Sequence, residues 1–178
     1  HLHLRDARGA EAAGRIQGID MDEKLIIDVA RLDPEGEDYE GVLDDAVLEM
    51  DGELLRPFAG IRYELFVQQF GTELLVRGTL AQDFEAVCAR CGVDFDFTTT
   101  VDDFTTSVEI DEKTEFVDLT DELRQSIILS LPSYPVCRQD CQGVCATCGK
   151  NLNEGPCTCT HEEQDSRWGA LDALELGK

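Results

Sequence analysis

Basic residues are scarce in this chain: 15 Lys and Arg stand against 38 Asp and Glu, a formal net charge of −23 over 178 residues. Nucleic-acid affinity rests largely on cationic side chains displacing condensed counterions, so non-specific phosphate binding is disfavoured. The same field attracts basic partners and speeds their association, besides keeping the protein dissolved. Histidine is rarer still. Of His1, His3 and His161 only the last is internal, which leaves few general bases for proton-transfer chemistry. There is no Ser-His-Asp set, phosphate-cradling glycine loop or H-E-x-x-H helix, so neither an enzyme nor a small-molecule substrate is expected. Long apolar runs are also missing. None approaches the roughly 18 consecutive residues of a membrane span, and no basic, apolar and cleavage regions in that order open the chain. A soluble, cytoplasmic protein with no membrane partner is expected.

What is present is enough apolar material, 42% of residues, to bury a real core. Residues 1–20 have little apolar periodicity and are read as an upstream or vector-derived extension. An α+β domain is expected over residues 21–135, containing the first Cys-x-x-Cys, and a Cys-rich module with a short C-terminal helix over 136–178.

Leu25, Ile26, Ile27 and Val29 read as a short strand from Lys24 to Arg31, stopped by the turn Leu32-Asp33-Pro34-Glu35-Gly36. Tyr39, Val42, Leu43, Ala46, Val47 and Met50 recur at helical spacing and predict a short amphipathic helix, which Gly41 weakens. From Ile61 the period becomes two. Ile61, Tyr63, Leu65 and Val67 alternate, Phe70-Gly71-Thr72-Glu73 offers a turn, and Leu74 to Leu80 runs back, a hairpin signature. The alternation passes through Phe84 and Ala86 into Cys88-Ala89-Arg90-Cys91-Gly92 and resumes at Val93, Phe95 and Phe97, placing this cysteine pair on a turn between strands. Thr120-Asp121-Glu122 provides an N-cap and acidic first turn for a helix whose apolar residues are Leu119, Leu123, Ile127, Ile128 and Leu131, ended by Pro132. A last helix is expected from about Ser166, docking through Trp168, Leu171 and Leu174. The sum is an α+β fold whose antiparallel sheet, open or barrel-like, spans residues 24–110.

The eight cysteines are Cys88 and Cys91, then Cys137, Cys141, Cys145, Cys148, Cys157 and Cys159. A Cys-x-x-Cys-Gly turn suits Zn²⁺ because two thiolates converge on one ion, while glycine permits the backbone angles that turn N–H groups toward sulfur. Both such turns here end in glycine, at Gly92 and Gly149. Each tetrathiolate carries formal charge −2, and Arg90, Arg138 and Lys150 lie among the cysteines to offset it. All eight are therefore expected to bind two structural zinc ions. Cys145, Cys148, Cys157 and Cys159 can close locally, leaving Cys88 and Cys91 to meet Cys137 and Cys141; crossed pairings or a single site are the alternatives. His161 is read as a linker residue and not as a ligand. Disulfides fit poorly with a chain that needs no staples. Thioredoxin-like redox chemistry would need the motif at a helix N-terminus, and iron–sulfur ligation lacks the ferredoxin spacing. Catalytic zinc normally keeps an open position, which four thiolates do not offer.

Cys88-Ala89-Arg90-Cys91-Gly92 with its trailing aromatics, the stretch from Asp121 to Pro132, and the tail from Cys141 to Asn153 resemble the YceD family of large ribosomal RNA subunit accumulation proteins. The resemblance runs from about Leu25 to Leu174 and extends to Asp165-Ser166-Arg167-Trp168, with Ser166 where the family usually has proline. It implies a non-enzymatic role in building the large ribosomal subunit. The partner is expected to be a basic ribosomal protein or else precursor rRNA, the latter met by a small basic face including Arg90, Arg138, Lys150 and Arg167. A zinc-storage or metal-transfer protein, and a structural adaptor unrelated to ribosomes, are the competing classes.

Overall fold

The computed structural model describes residues 21–50 and 52–159. The expected C-terminal helix, with Trp168, Leu171 and Leu174, and also His161 and Arg167, lie outside the described residues. The chain forms two compact units, one from residues 21–84 and 97–131 and the other from 85–96 and 132–159.

The first unit is built on a four-stranded sheet in the order β2-β3-β4-β5, where β2 is Glu37–Leu43, β3 Leu55–Phe70, β4 Glu73–Val87 and β5 Asp94–Glu109. The period-two reading of β3 and β4 holds. Ile61, Tyr63, Leu65 and Val67 of β3, and Leu74, Val76, Leu80 and Phe84 of β4, are all buried, because alternate side chains share one face of a pleated strand. Gly71, with φ of +61°, makes the tight connection between them. Phe84 stacks on Phe97 of β5 at 5.6 Å between ring centroids. The sheet is open and does not close into a barrel, which settles the alternative left by the sequence.

β1 (Ile26–Asp28) pairs antiparallel with β6 (Phe116–Asp118) in a separate two-stranded ladder. The strand expected from Lys24 to Arg31 is therefore shorter, and its end, Val29–Arg31, winds into a 3-10 turn. The turn at Asp33-Gly36 is present, closed by the Gly36 N–H on the Asp33 carbonyl at 2.9 Å.

The helix expected over Tyr39–Met50 is absent. Its first half is β2, paired with β3 from Glu37↔Val67 to Leu43↔Ile61, and its second half is the 3-10 turn Asp45–Leu48, capped by Asp44. Positions 39 and 43 fit a period of two as well as one of 3.6, and Gly41 decides between them. A Cβ there would stand 2.5 Å from Tyr63 Oη, so the residue without one leaves room for the Tyr63 ring across the strand.

The helix α1 spans Thr120–Ser130 and buries Leu123 and Ile127, with Asp121 and Glu122 favourably placed in its first turn. Thr120 is not its N-cap. Leu119 holds that position, and Thr120 Oγ1 accepts from the Leu25 N–H at 3.0 Å while its own N–H donates to Asp118 Oδ1. No helix among the described residues is long and apolar enough to cross a membrane.

Candidate metal centres

The second unit is organised by cysteine. Its eight thiols fall into two groups of four, Cys88, Cys91, Cys137 and Cys141, then Cys145, Cys148, Cys157 and Cys159, the sulfurs of each group lying within 4.8 Å of one another. This is the local closure of the last four that the spacing suggested, with the first pair meeting Cys137 and Cys141.

Two turns of one design hold the groups. In the first, Cys88 N–H donates to the Val93 carbonyl at 2.8 Å and Gly92 N–H to the Cys88 carbonyl at 2.9 Å. In the second, Cys145 N–H donates to the Lys150 carbonyl at 2.8 Å and Gly149 N–H to the Cys145 carbonyl at 2.8 Å. Gly92 and Gly149 have φ of +73° and +72°, a left-handed conformation that costs a side-chain-bearing residue energy and glycine none. The reward of that geometry is electrostatic. Burial pushes the Cys88 thiol up, but the backbone N–H of Cys137, from outside the turn, and those of Cys91 and Arg90 within it outweigh burial and bring its pKa to about 6. The N–H groups of Cys148 and Thr147 do the same for Cys145, also to about 6.

Within each group another thiol moves the opposite way. Burial and the sulfurs of Cys88, Cys91 and Cys141 push Cys137 up to about 12, and the Cys148 sulfur together with burial pushes Cys159 up to about 12. Four crowded sulfurs resist sharing several negative charges. A cation among them removes that repulsion and lets all four ionise.

The distances fit such an ion. Four sulfurs about 2.3 Å from a tetrahedral centre stand about 3.8 Å from one another, and the observed separations are 3.9 Å for Cys88–Cys141, 3.7 Å for Cys91–Cys137 and 3.5 Å for Cys145–Cys157. A disulfide would need about 2.05 Å, and all eight cysteines are free. Both groups can therefore hold a metal ion. They differ in exposure: Cys88, Cys91 and Cys141 are buried, with Phe95 and Val136 packed on them, whereas Cys148 is exposed and Cys157 and Cys159 are half-buried.

The three cations expected to offset thiolate charge act chiefly as loop ties. Arg90 Nη1 donates to the carbonyls of Gln139 and Cys141 at 3.2 and 3.3 Å, Arg138 pairs with Asp140 and with Asn153 Oδ1, and Lys150 Nζ donates to the Pro156 carbonyl at 2.9 Å. Sequence reasoning missed Asn153. Its Nδ2 donates to Cys141 Sγ at 3.3 Å and is the leading reason that thiol is held below its ordinary pKa. The Asn151-Leu152-Asn153 spacing was the available signal, since asparagine favours caps and short turns.

Residues 97–175 match the family described as large ribosomal RNA subunit accumulation protein YceD, a shorter stretch than the resemblance suggested and one that begins beyond Cys88 and Cys91. An uncharacterized protein of Mycobacterium tuberculosis is 37% identical over 124 residues, covering 61% of this chain and 58% of that protein. An uncharacterized protein of Mycobacterium leprae is 32% identical over 127 residues, covering 64% of this chain and 58% of its own length. The chain thus spans 58% of the length of these relatives. A chloroplastic protein of Arabidopsis thaliana, named large ribosomal RNA subunit accumulation protein YCED homolog 1, is 34% identical over 58 residues, 33% of this chain and 18% of that one. No solved structure matches. Residues 97–175, which carry α1 and six of the eight cysteines, are thus similar to the YceD family, over less than half of the chain.

Proposed function

We propose that the protein is a non-enzymatic, zinc-binding factor of ribosome biogenesis that acts in the cytoplasm, supporting accumulation of large-subunit rRNA by binding a basic ribosomal protein. The observation that carries the reading is the YceD match over residues 97–175. All-sulfur ligand sets with glycine-ended turns favour zinc over harder ions, and four thiolates leave no open position for substrate, so zinc is structural in this reading.

The choice of a protein partner is supported by charge. A groove runs across all four strands of the β2-β3-β4-β5 sheet, and its lining includes Asp38, Glu40, Glu64, Asp102 and Asp103 against one cation, Arg77. Glu40 and Glu64 are directly opposed in the β2–β3 register, an arrangement that costs stability in the free protein and is relieved when a cation sits between them. Arg77 lies over the Phe66 ring at 5.1 Å, an example of how a guanidinium rests in this groove. The alternative rRNA contact is less well supported, because Arg90, Arg138 and Lys150 already bind loop groups.

The test is capture from lysate on the tagged full chain, with and without ribonuclease. Basic large-subunit ribosomal proteins should be retained after RNA digestion by the wild type and lost by E40K/E64K. Loss of every partner on digestion overturns the protein-partner reading in favour of rRNA.

A further inference from the structure

One side chain serves both thiolate groups. Asn153 belongs to the loop between Cys148 and Cys157 that closes the second group, within the 3-10 turn Leu152–Glu154. Its Nδ2 nevertheless donates to Cys141 Sγ of the first group at 3.3 Å. Its Oδ1 accepts from the Gln142 N–H at 2.9 Å and from Arg138 Nη2 at 2.7 Å, so the amide holds the segment carrying Cys141 as well as its sulfur. These partners fix the amide's orientation, since the reversed group would set an acceptor against sulfur and a donor against two donors.

The turn that presents Asn153 depends in turn on the second group. Asn151 Oδ1 accepts from both the backbone N–H and Nδ2 of Asn153, at 3.0 and 2.8 Å. Asn151 forms a bridge with Val144, and Leu152 N–H donates to the Gly143 carbonyl at 2.9 Å. Residues 150–152 thereby run beside residues 143–145, an alignment maintained where Cys145 and Cys148 close on Cys157 and Cys159.

We infer that Asn153 couples the two centres: a metal ion in the second group orders the turn that gives Cys141 its hydrogen bond, and so raises the affinity of the first group. The inference rests on the zinc reading above. Hydrogen bonds to metal ligands commonly set affinity by about 10- to 100-fold, and such coupling is reciprocal. Because the second group holds the exposed Cys148, a chelator opens it first, and the first centre then weakens.

Zinc affinity of the first group is to be measured on the full, reduced chain by competition with a chromophoric chelator. Disabling the second group with C157S/C159S should lower that affinity about tenfold or more when Asn153 is present, and by less than about twofold on the N153D background, where the donor to sulfur is already gone. Equal losses on both backgrounds, or no loss on either, overturn the coupling alone. Absence of zinc from every chain overturns the zinc reading and the coupling with it. Native mass spectrometry during stepwise chelation needs no cysteine substitution: a one-zinc species should be less populated in the wild type than in N153D, and equal accumulation in both overturns the coupling.

Discussion

Asp83 is held by three hydrogen bonds. Arg62 approaches it with both terminal nitrogens, at 2.7 and 3.1 Å, and Thr98 Oγ1 donates at 2.6 Å. Arg62, with Thr98 behind it, holds the Asp83 carboxyl below the usual carboxylate range against the opposing effect of burial. A depressed folded-state pKa means that the pair stabilises the fold fully above the unfolded value, about 4, and that this contribution drains away as pH falls through the folded value. The Arg62 side chain is 43% exposed, so solvent screening limits the effect to about 1 kcal/mol. D83N should therefore lose about 1 kcal/mol at pH 7 in urea unfolding, with the gap to wild type closing as pH falls from about 4 through the lowered folded-state value. A gap independent of pH would show that the carboxylate's charge contributes nothing.

Among the elements, those with one unambiguous period were legible. β3, β4 and α1 each repeat their buried residues over several turns or pleats, so neighbouring positions confirm one another. β2 was not legible, because Tyr39 and Leu43 satisfy both periods and Gly41 is explained only by Tyr63, which the sequence places on another strand. The thiol grouping was legible for a different reason: the last four cysteines can close within one loop, a local property, and that leaves the first pair to meet Cys137 and Cys141. Asn153 was hidden because its partner, Cys141, belongs to the other group. Gly78 is a further case of a residue set by a distant strand. A Cβ there would fall 2.0 Å from the Glu64 carbonyl oxygen and 2.8 Å from Leu65 Cα, backbone atoms that cannot move without breaking the β3–β4 pairing. Gly92 is the opposite case, with open space around it but φ of +73°. G78A should cost about 3 kcal/mol through overpacking and G92A about 1 kcal/mol through backbone strain alone, both read from urea midpoints of zinc-loaded protein. Equal costs would remove close strand approach as the reason for Gly78.

The molecule as a whole draws on two kinds of cohesion. The first unit has an extended aliphatic and aromatic core, from Leu25 and Ile27 to Leu123 and Ile127. Among the described residues the second has a small buried cluster of Cys88, Cys91 and Cys141, with Phe95, Val136 and Cys137 packed on it, little apolar surface to offset the entropy of ordering its loops. Zinc bound to four thiolates contributes about 10–16 kcal/mol at pH 7 in small zinc-dependent domains, so the zinc reading proposed above makes metal binding and folding of the second unit one equilibrium. Chelation under reducing conditions should therefore open residues 132–159 to protease while residues 97–131 stay protected, and should remove a thermal transition while sparing most of the far-UV signal of the sheet. A zinc-storage protein behaves differently, since a buffer must release its ions without losing its fold. If both ions leave and neither the far-UV spectrum, the melting temperature nor the protease pattern changes, zinc is cargo, and the ribosomal role proposed above would then rest on the first unit without any contribution from the cysteines.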